Sequence, residues 1–191
     1  MEDVTLHNSP NETGWIEVIC GCMFSGKTEE LIRRLRRAQI ARQRVVIFKP
    51  RIDNRYSADR IVSHNTQSLD SIVIDKPHEI LELAQNAQVI GIDEGQFFSR
   101  ELVDVSEQLA NKGKRVIIAG LDQDFRGQPF EPIPQLLSVA EYITKTLAIC
   151  MVCGNPADRT QRITDQHELV VVGAQNVYEA RCRKCFVPPK D

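Results

Sequence analysis

A glycine-rich run near the start of the chain has the composition and spacing of a phosphate-binding loop. The run is Gly21-Cys22-Met23-Phe24-Ser25-Gly26-Lys27-Thr28, which fits the pattern G-x-x-x-x-G-K-[ST]. The glycines let successive backbone N–H groups point at phosphate oxygens, Lys27 can reach the β- and γ-phosphates, and Thr28 can bind Mg²⁺. The alternative is a chance glycine turn, but an apolar segment precedes the run and an amphipathic one follows it. The run therefore predicts a site for a nucleoside triphosphate and magnesium.

Two adjacent acids, Asp93 and Glu94, end the apolar segment Val89-Ile90-Gly91-Ile92. An acid at this place can hold magnesium beside Thr28, and we expect Asp93 to do so. Glu94 can act as a general base if it reaches the attacking oxygen, or it can be a structural carboxylate or part of the magnesium shell. Both interpretations of Glu94 are compatible with the sequence.

Four cysteines near the end of the chain form two C-x-x-C pairs, Cys150 with Cys153 and Cys182 with Cys185. One such pair could be a redox motif, but two together supply the four thiolates of a tetrahedral zinc site. Because the protein fills all four positions, we expect the zinc to be structural. We interpret Cys20 as a buried strand residue and Cys22 as a loop residue, outside this set.

The elements that must position these groups alternate between strands and helices. Apolar runs predict strands at 15–20, 45–48, 89–93 and 115–119, with a possible short strand at 71–74. Helical periodicity follows Lys27 and recurs at 78–87, with Leu83 on the inner side, and at 99–111, where Ser99 is a candidate N-cap. Residues 51–66 are expected to be a loop. This order predicts an α/β fold, a P-loop parallel sheet flanked by helices.

The composition and charge narrow the class of protein. The chain has 191 residues, 42% of them hydrophobic, and a net charge of −2, which is typical of a soluble globular protein and not of a nucleic-acid binder. No apolar run is long enough to span a membrane, and the first residues lack a secretion signal, so we expect a cytoplasmic protein. We divide the chain into a flexible leader (1–14), a nucleotide-binding domain (15–144) and a small zinc-ribbon-like domain (145–191).

These motifs together resemble the zinc-containing thymidine kinases of the cellular and bacterial type. The resemblance covers residues 15–186 and includes Asp93-Glu94-Gly95-Gln96-Phe97-Phe98, Leu121-Asp122, Phe125, Pro129-Phe130 and both cysteine pairs. It implies transfer of the γ-phosphate of Mg-ATP to the 5′-hydroxyl of thymidine, and of deoxyuridine, for salvage of DNA precursors. It also implies a homotetramer, feedback inhibition by thymidine triphosphate, and a long C-terminal loop that closes over the substrate.

The resemblance also implies roles for individual residues, with Glu94 taking the proton of the 5′-hydroxyl and Thr28 and Asp93 holding magnesium. Besides the loop itself, the groups expected near ATP are Arg55, Asp93, Glu94, Gly95 and Gln96. The groups expected around the nucleoside are Met23, Asp53, Phe97, Leu121, Phe125, Phe130, Thr160, Arg162, Val171, Val172, Gly173 and Tyr178. The chain departs from the family at Cys22, where Pro is usual, and a thiol is therefore expected beside the phosphates.

Other interpretations of the same residues stay open at this level. The four phenylalanines at 97, 98, 125 and 130 could be core, and the arginines of 33–37 could form a solvated helix face or a subunit contact. A P-loop ATPase could use a zinc ribbon to grip DNA or protein through basic residues that flank the cysteines, namely Arg159, Arg162, Arg181, Arg183 and Lys184. A nucleotide sensor without turnover is a third possibility.

Overall fold

The computed structural model describes residues 13–52, 60–62, 68–164 and 177–189. The strands are β1 (Trp15–Cys20), β2 (Val45–Pro50), β3 (Arg60–Val62), β4 (Ser68–Asp70), β5 (Ile72–Ile74), β6 (Val89–Ile92), β7 (Arg115–Gly120), β8 (Tyr142–Lys145), β9 (Ala148–Ile149), β10 (Pro156–Ala157), β11 (Arg159–Arg162) and β12 (Tyr178–Arg181). The helices are α1 (Lys27–Ile40), α2 (Glu79–Leu83), α3 (Glu101–Asn111) and α4 (Ile133–Val139), with a 3-10 turn at Gly95–Phe97.

A six-stranded sheet in the order β5-β2-β6-β7-β1-β8 forms the centre of the protein. Every pairing in this sheet is parallel, which confirms the predicted α/β class. Since the strands are parallel, their carboxyl ends meet at one edge. The glycine-rich run follows β1, Asp93 follows β6 and Leu121 follows β7, so these three segments converge there.

Both faces of the sheet are covered by apolar side chains of the helices. The inner face of α1, formed by Leu31, Ile32, Leu35 and Ala38, packs with Ile19 and Ile117 on one side of the sheet. On the other side, α2, α3 and α4 pack over strand residues such as Val18, Ile90 and Val116. The near-continuous apolar strands are what a sheet buried on two faces requires.

The C-terminal part is a small module of two antiparallel pairs, β9 with β10 and β11 with β12. A third buried cluster holds it together, formed by Cys22, Ala148, Cys150, Ala157, Ala180 and Cys182. The division at residue 144 stays a prediction, although the central sheet extends to Lys145 at the end of β8. The leader and the predicted substrate-covering loop fall largely on residues 1–12 and 165–176, outside the described residues.

Three details differ from the sequence-based expectations. The predicted loop at 51–66 contains β3, which pairs antiparallel with β4. Helix α2 is shorter than predicted, and Leu83 is 47% exposed instead of facing inward. Ser99 does not cap α3, because Arg100 precedes its first residue and the Ser99 hydroxyl donates to the Glu101 carboxylate at 3.4 Å. Pro134 lies in the first turn of α4, where its missing N–H costs little.

A charge network around β1 holds Arg34, one of the arginines for which the sequence allows a solvated helix face or a subunit contact. Arg34 of α1 donates to Glu17 of β1 at 2.7 Å and to the hydroxyl of Thr144 in β8 at 2.8 Å. Arg115 of β7 donates to the other oxygen of Glu17 at 2.6 Å. Glu17 is 3% exposed, so the pairing satisfies a carboxylate that would otherwise be buried without a counter-charge.

Among the described residues, no helix combines the length and the apolar character that crossing a membrane requires.

Candidate nucleotide and nucleoside site

The glycine-rich run adopts backbone conformations that its glycines permit. Gly21 has φ 140° and Gly26 has φ 84°, both in the region that side chains other than glycine rarely adopt. A Cβ atom at position 21 would also lie 2.2 Å from the carbonyl oxygen of Thr146. The loop therefore lies against the backbone that follows β8, and only glycine fits at its first position.

Lys27 begins α1, and its ammonium points back over the loop. Nζ donates to the carbonyl oxygen of Cys22 at 2.8 Å. Burial lowers the pKa of Lys27, and the nearby charges of Glu94 and Asp93 act in the opposite direction. A phosphate anion in the loop would likewise favour the charged form, so this ammonium is suited to bind one.

Thr28 and Asp93 meet across the end of the sheet, as the sequence predicts for a shared magnesium site. The Thr28 hydroxyl lies 3.3 Å from both carboxylate oxygens of Asp93. Asp93 is only 5% exposed. A hydroxyl and a buried carboxylate are hard oxygen donors of the kind that Mg²⁺ prefers, so the donor set fits that ion.

Glu94 occupies a left-handed backbone conformation, with φ 51°, at the start of the 3-10 turn. Its backbone N–H donates to Asp93 Oδ1 at 3.0 Å, and its carboxylate accepts a hydrogen bond from the side chain of Gln96. The resemblance places Gln96 among the ATP-binding groups, whereas here its carboxamide contacts Glu94 and the backbone N–H of Leu121.

The C-terminal module is attached directly to the phosphate loop. The backbone N–H of Met23 donates to Thr160 Oγ1 at 3.1 Å, and the hydroxyls of Ser25 and Thr146 are 2.8 Å apart. The thiol of Cys22 donates to the carbonyl oxygen of Ala157 at 3.3 Å and is buried in the third cluster. The Cys22 thiol thus faces the C-terminal module, and burial raises the pKa of Cys22.

The aromatic residues predicted for the nucleoside pocket form two groups. Phe97 and Phe130 meet edge to face, with ring centroids 6.2 Å apart. The guanidinium of Arg162 stacks 3.6 Å from the ring centroid of Phe125, and it also donates to the hydroxyl of Tyr178 at 2.7 Å. Phe98, by contrast, belongs to the main core. Leu121 follows β7, and β7 lies between β6 and β1 in the sheet.

The four predicted cysteine ligands are brought together. The sulfur atoms of Cys150, Cys153, Cys182 and Cys185 all lie within 4.8 Å of one another, a group that could hold a metal ion. Those of Cys153 and Cys182 are 3.6 Å apart. Burial opposes ionisation of Cys150, but hydrogen bonds from the backbone of Cys182, Val152 and Cys153 outweigh it and lower the pKa of this thiol to about 6.

The comparisons with known proteins agree with this arrangement. The sequence profile of the thymidine kinase family matches residues 14–186. A thymidine kinase of Rhodothermus sp. (strain ITI 518) is 61% identical to the chain over 190 residues, which cover 100% of the chain and 89% of that relative. The chain belongs to the thymidine kinase family. Its enzymes are kinases that phosphorylate thymidine, and the resemblance stated from the motifs is confirmed.

Several basic residues that suggested a nucleic-acid-binding zinc ribbon make contacts within the protein. Together with membership of the thymidine kinase family, these contacts argue against that interpretation. Arg159 contacts Gln123 and Asp158, and Arg181 contacts Glu179 and the Cys185 carbonyl. Arg162 lies on Phe125 and Tyr178.

Five of the predicted site residues lie outside the described residues, namely Asp53, Arg55, Val171, Val172 and Gly173.

One ion pair near the site is not predicted from the sequence. Lys145, at the end of β8, pairs with the buried Asp122 at 2.6 Å, at the carboxyl edge of the sheet. No local pattern in the sequence joins these two residues. Only the parallel pairing of β8 with β1, next to β7, brings them together.

Proposed function

We propose that the protein transfers the γ-phosphate of ATP to the 5′-hydroxyl of thymidine at the carboxyl edge of its parallel sheet. The observation that carries this proposal is the convergence of three parts at that edge. The loop with Lys27 supplies cationic and N–H groups, the Thr28–Asp93 pair supplies hard oxygen ligands, and Glu94 supplies a carboxylate held by Gln96. Phosphoryl transfer requires alignment and charge neutralisation, and these parts provide both.

In the proposed reaction, the 5′-oxygen of the nucleoside attacks the γ-phosphorus, and the bond from that phosphorus to the β–γ bridging oxygen breaks. Glu94 takes the proton of the hydroxyl, and ADP leaves with the electron pair of the broken bond. Lys27 and the loop N–H groups offset the charge on the phosphate oxygens. Magnesium, held by Thr28 and Asp93, would neutralise further negative charge on the phosphates.

We also propose that the four cysteines hold a structural zinc ion. Zn–S bonds of about 2.3 Å in a tetrahedron place neighbouring sulfurs roughly 3.8 Å apart. The 3.6 Å between the Cys153 and Cys182 sulfurs fits that geometry. Since the module has only a small apolar cluster of its own, zinc would contribute directly to its folding.

The nucleoside side of the site is proposed from the family resemblance. Met23, Phe97, Leu121, Phe125, Phe130, Thr160, Arg162 and Tyr178 would surround it, with Asp53, Val171, Val172 and Gly173, and Arg55 would reach the phosphates. Deoxyuridine as a second substrate, thymidine triphosphate as inhibitor, a homotetramer and a cytoplasmic location remain predictions.

The direct test incubates purified protein with Mg-ATP and a panel of thymidine, deoxyuridine, deoxycytidine and deoxyguanosine, and resolves the products by ion-exchange chromatography. We expect a thymidine monophosphate peak that Glu94→Gln reduces by about 10²-fold or more, with ATP binding retained. The matched control is Glu107→Gln on the exposed side of α3, which should retain full activity. No phosphorylated nucleoside from any panel member would refute the proposed reaction, and full activity of Glu94→Gln would refute the proposed base.

A further inference from the structure

The carboxamide of Gln96 lies between two groups that follow neighbouring strands, Glu94 after β6 and Leu121 after β7. Its Oε1 accepts a hydrogen bond from the backbone N–H of Leu121 at 2.9 Å, and its Nε2 donates to Oε2 of Glu94. A backbone N–H can only donate, so Oε1 must face Leu121 and the NH₂ group must face Glu94. The orientation of the amide is therefore fixed by its contacts.

The surroundings of Gln96 leave its side chain little freedom. The residue is 3% exposed. A Cβ atom added at Gly120 would lie 3.0 Å from Gln96 Oε1 and 2.5 Å from Ile133 Cδ1, and one at Gly95 would lie 2.8 Å from Ile118 Cγ2. Gly120 thus permits the close packing of its backbone against the Gln96 amide, and Gly95 permits the approach of the 3-10 turn to Ile118 of β7.

The contact matters because Glu94 lies at the end of β6 and Leu121 at the end of β7. A glutamate side chain has several rotatable bonds, and fixing it costs up to about 2 kcal/mol of rotamer freedom. A general base has to lie within hydrogen-bond reach of the proton that it takes. Gln96 supplies a rigid donor that links the orientation of this carboxylate to the backbone of the neighbouring strand.

We propose that Gln96 is a positioning residue, which holds the Glu94 carboxylate in the orientation that accepts the proton of the nucleoside 5′-hydroxyl. This inference rests on the proposed role of Glu94 as base. It assigns to Gln96 a function through Glu94 and not through ATP, which differs from the assignment that the family resemblance implies. It predicts that substitution of Gln96 lowers the rate of the chemical step and leaves the KM for ATP unchanged.

The first experiment compares Gln96→Glu with the wild type over a range of pH. The introduced carboxyl has nearly the same shape and can still accept from the Leu121 N–H, but it can donate to Glu94 only when it is protonated. We expect kcat to fall by about 10- to 100-fold at neutral pH, and the loss to diminish as the pH is lowered. A merely structural role would give a loss that does not depend on pH, or a change in the KM for ATP. Either result would overturn the inference.

The second experiment is a double-mutant cycle with Gln96→Met, Glu94→Gln and the combined variant. If Gln96 acts through Glu94, Gln96→Met should lower kcat in the wild type and have no further effect once Glu94 is replaced. Equal losses in the two backgrounds would refute positioning. Full activity of Glu94→Gln alone would instead refute the proposed base, so the two failures are distinguishable. If Gln96→Met does not fold, the pH comparison on Gln96→Glu decides, because that variant keeps the contact with Leu121.

Discussion

The hydroxyl of Thr160 accepts a hydrogen bond from the backbone N–H of Met23 at 3.1 Å, across 137 positions of the chain. Met23 belongs to the phosphate loop, and Thr160 belongs to β11 of the C-terminal module. Cys22 makes a second contact of the same kind, from its thiol to the carbonyl oxygen of Ala157. The conformation of the phosphate loop is therefore linked to the folding of the C-terminal module.

Thr160→Val tests this link, because valine keeps the shape of the side chain and removes its acceptor. We expect the free energy of unfolding to fall by about 0.5–1.5 kcal/mol, because the part-buried N–H of Met23 loses its acceptor. ATP binding should also weaken, because the Met23 N–H loses its acceptor and the phosphate loop is then held less firmly in its conformation. Titration calorimetry would measure the ATP affinity. The matched control is Thr164→Val in the same module, since the Thr164 hydroxyl is buried and has no hydrogen-bond partner among the described residues. Equal effects of the two substitutions would contradict the link.

Removal of the proposed zinc should also affect the phosphate loop, because the C-terminal module holds that loop through Thr160 and Ala157. We expect the purified protein to contain about one zinc ion per chain, as measured by atomic emission, and a chelator that removes it to weaken ATP binding. Cys153→Ser should lower the zinc content and the ATP affinity together. Cys20→Ala is the control, because Cys20 is buried in the main core and outside the four-cysteine group. Full ATP affinity in the zinc-free protein would show that the module does not support the loop.

Asp93→Asn tests the magnesium site while preserving much of its geometry. The amide oxygen of asparagine can still accept from the backbone N–H of Glu94, which Asp93 accepts at 3.0 Å, but the negative charge is lost. We expect the Mg²⁺ concentration that gives half-maximal rate to rise by about tenfold or more, since Mg²⁺ favours carboxylate ligands. High Mg²⁺ should restore part of the rate. An unchanged magnesium dependence would exclude Asp93 as a ligand.

The parts of the site that lie close together in sequence are those that the sequence predicts. The strand β1, the loop and the start of α1 at Lys27 follow from local patterns, and so do β6 with Asp93 and the two cysteine pairs. Apolar runs and motif spacing are sufficient to predict these features, because each depends on a few consecutive residues.

The contacts that the sequence does not predict join distant segments. The strand β8 has mostly exposed side chains, so it lacks the apolar run that indicates a buried strand. The bonds from Met23 to Thr160 and from Leu121 to Gln96 depend on which strands are neighbours. The apolar pattern of 78–87 predicts an inward Leu83, but α2 ends at that residue and its side chain is exposed.

The charge network at Glu17 leads to a prediction about stability and pH. Burial alone would raise the pKa of Glu17, but hydrogen bonds and charges from Arg115 and Arg34 outweigh it and hold the pKa below its ordinary value of 4.5. A carboxyl whose pKa is lowered in the folded state contributes stability above its unfolded pKa, and that contribution is lost as the pH falls through the folded value. The stabilisation by Glu17 should therefore be complete at neutral pH and decline only below the ordinary value.

Glu17→Gln should lower the free energy of unfolding at pH 7 by about 3 kcal/mol, because it removes the counter-charge of the largely buried Arg115 and one of the two carboxylate partners of Arg34. Urea unfolding at a series of pH values would measure the difference from the wild type, which should shrink in acid as Glu17 itself becomes protonated. Asp75→Asn is the control, since Asp75 pairs with Arg51 at the surface, where 58% and 67% of the two side chains are exposed. That variant should match the wild type at pH 7, because solvent already screens the pair. A difference between Glu17→Gln and the wild type that stays constant from neutral to acidic pH would mean that the loss comes from packing and not from the charge of Glu17.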